Sequence, residues 1–133
     1  MICLDTTFLV DLWRSKGNPG HPAVLILADH PAEAIAVPAH AAGEFIEGAA
    51  SISEERLQES LRYLRLFNLG TIDLETAEHY GRIVADLRRR SLLVGASKAD
   101  MWIAAWALQH GARLATRNER HFEHVTGLSI ISY

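Results

Sequence analysis

The sequence predicts a parallel α/β fold, and two observations carry that prediction. Five short apolar runs recur along the chain, and segments with helical periodicity separate them. Strands that alternate with helices pair in parallel through right-handed crossovers. A length of 133 residues, 49% apolar and 22% charged, matches one domain around one core, spanning residues 1–133.

The elements follow in order. Ile2 to Leu4 is a short apolar strand that ends at Asp5, and Thr6 to Trp13 is helical until Gly17-Asn18-Pro19-Gly20 stops it. Pro22 to Asp29 is a short apolar helix, and Ala34 to Val37 is a continuous apolar run typical of a buried strand. Residues 39–50 form a small-residue helix with Phe45, Ile46 and Ala49 on one side. Ser53 caps the next helix, which carries a stripe of Leu57, Leu61 and Leu64 flanked by Tyr63, Leu66 and Phe67. That is more apolar surface than one buried stripe needs, so the helix is either sandwiched in the core or covered by a partner chain. Gly70 ends this helix, Thr71 to Leu74 is read as the third strand, and a long helix runs to about Arg90. Residues 98–110 are apolar almost all round and therefore central. Arg113 to Thr116 is a fourth strand, a short turn follows from Asn118, and Leu128 to Ile131 is the fifth strand.

Composition narrows the function classes. The longest unbroken apolar run, Met101 to Leu108, is too short for a membrane span. Met1 to Asp5 lacks a basic leader and Cys3 has no cysteine to pair with, so a cytoplasmic location is expected. The net charge of −3 argues against simple basic coating of nucleic acid. It hides an asymmetry, because residues 81–120 hold eight basic side chains against three acidic ones. Arg88, Arg89 and Arg90 are either a solvated helix face or a phosphate-contacting rim.

Three polar residues stand at places where α/β folds put ligands. Asp5 follows the first strand and Asn118 follows the fourth, so both lie at the carboxyl edge of a parallel sheet, where ligands bind. Asp100 heads a helix whose next eight residues are uncharged, with Ile103, Ala104 and Ala107 beneath it. Singly, each residue reads as a helix cap: Asp5 and Asn118 by type, Asp100 through the Ser97-x-x-Asp100 pattern. Together they are oxygen ligands converging from several elements, which suits Mg²⁺ or Mn²⁺. Asp100 has no obvious basic partner, and a carboxylate drawn inward needs one. Glu44 and Glu47 both lie off the apolar face of their helix, and periodicity does not choose between them. His121 and His124 read as solvated imidazoles, and Trp102 and Trp106 as packing groups rather than base-stacking platforms.

Four blocks then fall in a telling order. They are Leu4-Asp5-Thr6-Thr7, Gly43-Glu44-Phe45-Ile46-Glu47-Gly48, Ala99 to Ala107, and Ala115-Thr116-Arg117-Asn118-Glu119-Arg120-His121-Phe122. Together they resemble the PIN-domain nucleases, and within these the VapC-type toxins of bacterial toxin–antitoxin pairs. The resemblance implies a five-stranded parallel sheet flanked by helices and hydrolysis of RNA phosphodiester bonds with Mg²⁺ or Mn²⁺. It also implies a homodimer inhibited by a small antitoxin. It assigns the glutamate role to Glu44 and makes Asp5, Glu44, Asp100 and Asn118 the catalytic metal ligands. Thr6 and Thr116 are expected to orient the carboxylates, and Arg117, Arg88 and Arg89 to contact RNA. Two positions depart from the pattern: Thr7 stands where Asn or Ser is usual, and His121 where many members carry an acid. The alternatives are a catalytically silent interaction module of the same fold and an RNA-processing nuclease outside toxin–antitoxin systems. An aspartyl-phosphate phosphatase is disfavoured, since that chemistry wants a second acid where Thr7 stands.

Overall fold

A computed structural model describes residues 1–93 and 97–133. Five strands form one sheet in the order β3-β2-β1-β4-β5: β1 (Ile2–Leu4), β2 (Ile35–Pro38), β3 (Asn68–Gly70), β4 (Arg113–Thr116) and β5 (Ile130–Ser132). Every neighbouring pair is parallel, with Leu4 opposite Ala115 and Cys3 opposite Ala36. The chain winds outward from β1 through β2 to β3, then returns to the other side of β1 with β4. The order therefore reverses between β1 and β4, which is where open α/β sheets bind ligands.

Among the described residues six helices flank the sheet: α1 (Thr6–Ser15), α2 (Pro22–Ala28), α3 (Ala39–Ala50), α4 (Glu54–Leu64), α5 (Leu74–Arg89) and α6 (Lys98–Gln109). The core consists of β1 with its neighbours and α6, in which Met101 and residues 103–107 are all buried. Trp13, Phe45, Tyr63 and Phe67 bind α1, α3 and α4 together, with edge-on ring pairs at 5.5, 4.7 and 5.2 Å. Such contacts add about 0.5–1.5 kcal/mol each beyond the area they bury.

Most expected elements are present, but the third strand is displaced. It runs over Asn68–Gly70, and Thr71 to Asp73 form the entry to α5. The reason is capping. Asp73 accepts from Thr76 N at 3.0 Å while Thr76 Oγ1 accepts from Asp73 N at 3.2 Å. This capping box commits Leu74 to the helix, with satisfied donors that outweigh the β propensity of Thr71 and Ile72. The fifth strand likewise begins later than expected, at Ile130. Of the apolar residues expected on the helix at 53–67, Leu64 is buried and Tyr63 and Phe67 join the aromatic cluster. Leu66 lies past the helix end and is exposed.

Candidate active site

Asp5 sits where β1 hands over to α1. Its extended backbone (φ −80°, ψ 175°) lets its side chain cap the helix, and Oδ1 accepts from Phe8 N at 2.7 Å. Thr116, at the end of the adjacent β4, donates its hydroxyl to Asp5 Oδ2 at 2.6 Å. Thr7 Oγ1 lies 2.9 and 3.0 Å from the two carboxylate oxygens. The residue is 2% exposed, and among the described residues no cation pairs with it. Burial pushes the Asp5 carboxyl above the ordinary carboxylate range. The bonds from Thr116, Phe8 and Thr7 oppose that shift, and the negative charge of Asp100 adds to it.

Asp100 occupies the first turn of α6, where its backbone N–H is capped by Ser97 Oγ at 3.0 Å. Its carboxylate does something else: Oδ2 lies 2.9 Å from His121 Nδ1. The expectation of a solvated His121 is thus corrected, and Asp100 has a partner that its own helix could not reveal. His121 arrives on a 3-10 turn, Glu119–His121, that follows β4 directly. Phe122, buried beneath it, anchors that turn. His124 instead lies 3.5 Å from its neighbour Glu123.

Glu44 lies in α3, after β2, and accepts a hydrogen bond from Thr6 Oγ1. Its other oxygen is 3.6 Å from His40 Nε2, one turn earlier in the same helix. Glu47 is exposed and has no such tie among the described residues. Asn118 is held through its backbone, donating N–H to Thr116 Oγ1 at 2.9 Å. A single hydroxyl, that of Thr116, therefore connects Asp5 to the segment carrying Asn118 and His121.

The arginines divide. Arg117 pairs through Nη1 with both oxygens of Asp11, at 3.0 and 2.9 Å. Tyr133 donates its hydroxyl to that carboxylate at 2.8 Å. Arg88 and Arg89 are exposed at the end of α5, and Arg89 is 3.4 Å from Asp86. Arg90 bonds Asp86 and the carbonyl of His124. Trp102 stacks on Tyr80 at 4.1 Å and Trp106 donates to the Thr71 carbonyl at 3.1 Å, so both indoles are occupied by packing.

The donor chemistry here fits a hard divalent cation: a buried carboxylate lacking a cationic partner, a second acid close enough to perturb it, and a glutamate tethered to the residue after the first. As they stand, no three acid, imidazole or thiol side chains among the described residues gather around one point. Each acid is held instead by a hydroxyl, an amide or an imidazole. Cavity size alone does not find this place. A cavity of about 680 Å³ lies along α5 beside Arg82, Asp86 and Val125, lined by none of these acids. Smaller clefts of about 390 and 470 Å³ both reach Glu44.

A parallel α/β domain with paired acids at its switch point belongs to the class of folds that work on ligands at the sheet's carboxyl edge. The chain is a member of the PIN domain family, whose model matches residues 2–128. It is similar to Ribonuclease VapC1 of Methanocaldococcus jannaschii, with 29% identity covering 99% of this chain and 86% of that one. It is equally similar to VapC ribonuclease Y4jK of Sinorhizobium fredii, with 29% identity covering 99% and 96%. Among solved structures, DNA-bound VapBC from Salmonella typhimurium superposes with a TM-score of 0.82 at 26% identity, covering 98% and 96%.

Proposed function

We propose that this protein is a divalent-metal-dependent endoribonuclease and the toxin of a toxin–antitoxin pair. The observation that carries the reading is the buried, cation-free Asp5 beside Asp100 at the β1/β4 switch point of a PIN domain. Relatives that bear the name ribonuclease along nearly the whole chain support RNA as the substrate. Asp5, Glu44 and Asp100, assisted by Asn118, would hold Mg²⁺ or Mn²⁺. Such an ion would supply charge neutralisation at the scissile phosphate and a lowered water pKa near neutral pH.

The chain's own residues prepare that step. Thr116 and Thr7 fix the rotation of the Asp5 carboxylate, and Thr6 fixes Glu44. Thr116 also holds the backbone of Asn118, which follows β4 at the same edge. Arg88 and Arg89 are exposed for phosphate contact, and Arg117, half exposed beside Asn118, is the nearest arginine in sequence to the acid edge. Partners in this reading are RNA, a small antitoxin and a second copy of the chain, in the cytoplasm. Exposed Ile52, Leu66, Leu69 and Leu74 are apolar side chains that suit such contacts. No described helix is long and apolar enough to cross a membrane.

The test is cleavage of single-stranded RNA by the purified protein with Mg²⁺ or Mn²⁺, with chelator, and with Asp5→Ala. Cleavage that needs the ion and is lost in the variant is the expected result. Metal-independent cleavage, or full activity of Asp5→Ala, overturns the reading.

A further inference from the structure

We propose that His121 is a positioning residue for Asp100: its Nδ1–H holds the carboxylate by Oδ2 and leaves Oδ1 as the oxygen offered to the metal ion. This rests on the metal-dependent reading above. His121 Nδ1 lies 2.9 Å from Asp100 Oδ2, and a carboxylate only accepts, so the ring carries its proton on Nδ1 and donates it. Ser97 Oγ accepts from the Asp100 backbone N–H at 3.0 Å, which closes the helix start but leaves the side-chain torsions to be set elsewhere. Among the described residues His121 is the only hydrogen-bond donor to that carboxylate.

The donor is itself held in place. The 3-10 turn is closed by His121 N–H to the Asn118 carbonyl at 3.0 Å and by Phe122 N–H to the Glu119 carbonyl at 2.9 Å. Phe122, 1% exposed, locks the turn into the core. The turn starts at Asn118, whose N–H donates to the Thr116 hydroxyl, and that hydroxyl donates to Asp5. A fixed backbone outside α6 therefore carries the donor to Asp100, and the bond restrains a carboxylate that its own helix leaves unfixed. Nε2, on the far side of the ring, takes no part.

The kind of donor matters. A guanidinium pairs its own charge with the acid it orients, as Arg117 does with Asp11. An imidazole donates from Nδ1 in its neutral form too, so it can turn a carboxylate without tying that charge to a fixed cation. The other two acids are held in the same way, Asp5 by Thr116, Thr7 and the Phe8 amide, and Glu44 by Thr6, all neutral donors. Such bonds set the orientation of ligating groups, and losing one costs about 10–100-fold in metal affinity or activity. His40 does not serve Glu44 in this way, because it lies 3.6 Å off on the same helix, an ordinary i,i+4 pair.

The experiment uses the shapes of two amides: Asn places an N–H where His has Nδ1, and Gln places one nearer Nε2. Binding of Mg²⁺ and of Mn²⁺ is measured by calorimetry on RNA-free protein for the parent, His121→Asn, His121→Gln, His121→Phe and the exposed control His124→Gln. Denaturant midpoints in chelator establish that each variant is folded. His121→Gln and His121→Phe should bind both ions about tenfold or more weakly, while His121→Asn and His124→Gln stay near the parent. Long-range ¹H–¹⁵N spectra of the metal-free parent, recorded where imidazole is neutral, should place the His121 proton on Nδ1. Asp100→Ala should return it to the Nε2 form that unrestrained histidines favour. Affinity kept in all three His121 variants, affinity kept only in His121→Gln, or a loss in His121→Asn as large as in His121→Phe overturns the inference and leaves the nuclease reading standing. A parent proton found on Nε2 does the same, and it decides alone should the variants fail to fold. A parent that binds neither ion overturns both.

Discussion

Helix α1 carries two buried aspartates, Asp5 at its start and Asp11 further along, and their surroundings differ in one respect. Asp11, 8% exposed, meets a guanidinium from Arg117 and a hydroxyl from Tyr133. Asp5, 2% exposed, meets two threonine hydroxyls and one amide, all neutral. One buried carboxylate is therefore paired with a cation from within the fold, while the other is met by dipoles alone. Isolated buried charges are costly, and proteins normally pair them. The lesson is that burial alone does not mark a functional acid, whereas burial with full hydrogen bonding and no countercharge does.

The contrast breaks first under exchange of either acid for its amide. Asp5→Asn keeps a good helix cap and removes a charge that the fold never neutralised. It should lower RNA cleavage by about a thousandfold, equal to about 4 kcal/mol of transition-state stabilisation, and leave metal-free stability unchanged or higher. Asp11→Asn should do the reverse, reducing stability by about 1–2 kcal/mol while cleavage stays within about tenfold of the parent. The loss is kept small because Arg117 is half exposed and water can take it up. Denaturant curves in chelator and initial cleavage rates make the comparison, and matching losses for the two variants would dissolve it.

The second test is pH. Burial and the Asp100 charge raise the Asp5 pKa in the folded state above the unfolded one, so the folded protein holds the Asp5 proton more tightly. The stability contributed by that proton is fully present below the unfolded pKa and is lost as pH rises through the folded one. The metal-free parent should therefore lose stability relative to Asp5→Asn as pH climbs from the ordinary carboxylate range through the raised Asp5 value. A difference between the two that is flat with pH would mean Asp5 is solvated like a surface acid.

The smallest expected effect concerns charges that have no buried acid to serve. Replacing Arg88 and Arg89 by Gln should weaken RNA binding and flatten its salt dependence by up to about one log unit per lost phosphate contact. An unchanged slope would return both residues to a solvated helix face.

How far the sequence could be read follows from the range of the forces involved. Asp5 and Asn118 are legible because each follows a strand, and the strands of a parallel sheet end at one edge; Thr116 comes only with the family resemblance. Asp100 is legible as the only acid on its helix, followed by eight uncharged residues. Its partner was not, because His121 reaches it across 21 residues through a turn whose geometry depends on burying Phe122. The Arg117–Asp11 pair spans 106 residues and was hidden for the same reason. The displaced third strand was a local misreading. Asn68 and Gly70 have poor strand propensity, and what holds them is the pairing of Ala36 with Asn68 and of Pro38 with Gly70. The side chain of Asn68 adds a bond to the Ile35 carbonyl at 3.1 Å.

Gly70 has a mechanical meaning beyond that strand. A methyl group there would land inside the indole of Trp106, whose Nε1–H is tied to the next residue's carbonyl. Trp106 and Asp100 ride the same helix, six residues or about 9 Å of axis apart. The outer strand is thus an end-stop against which the acid-bearing helix is seated, and the indole is wedged at the point of contact. Leu69, in that strand, is 53% exposed, so the end-stop lies at the surface of the protein. Trp106, an intrinsic fluorophore at the seat, would report a disturbance of that contact.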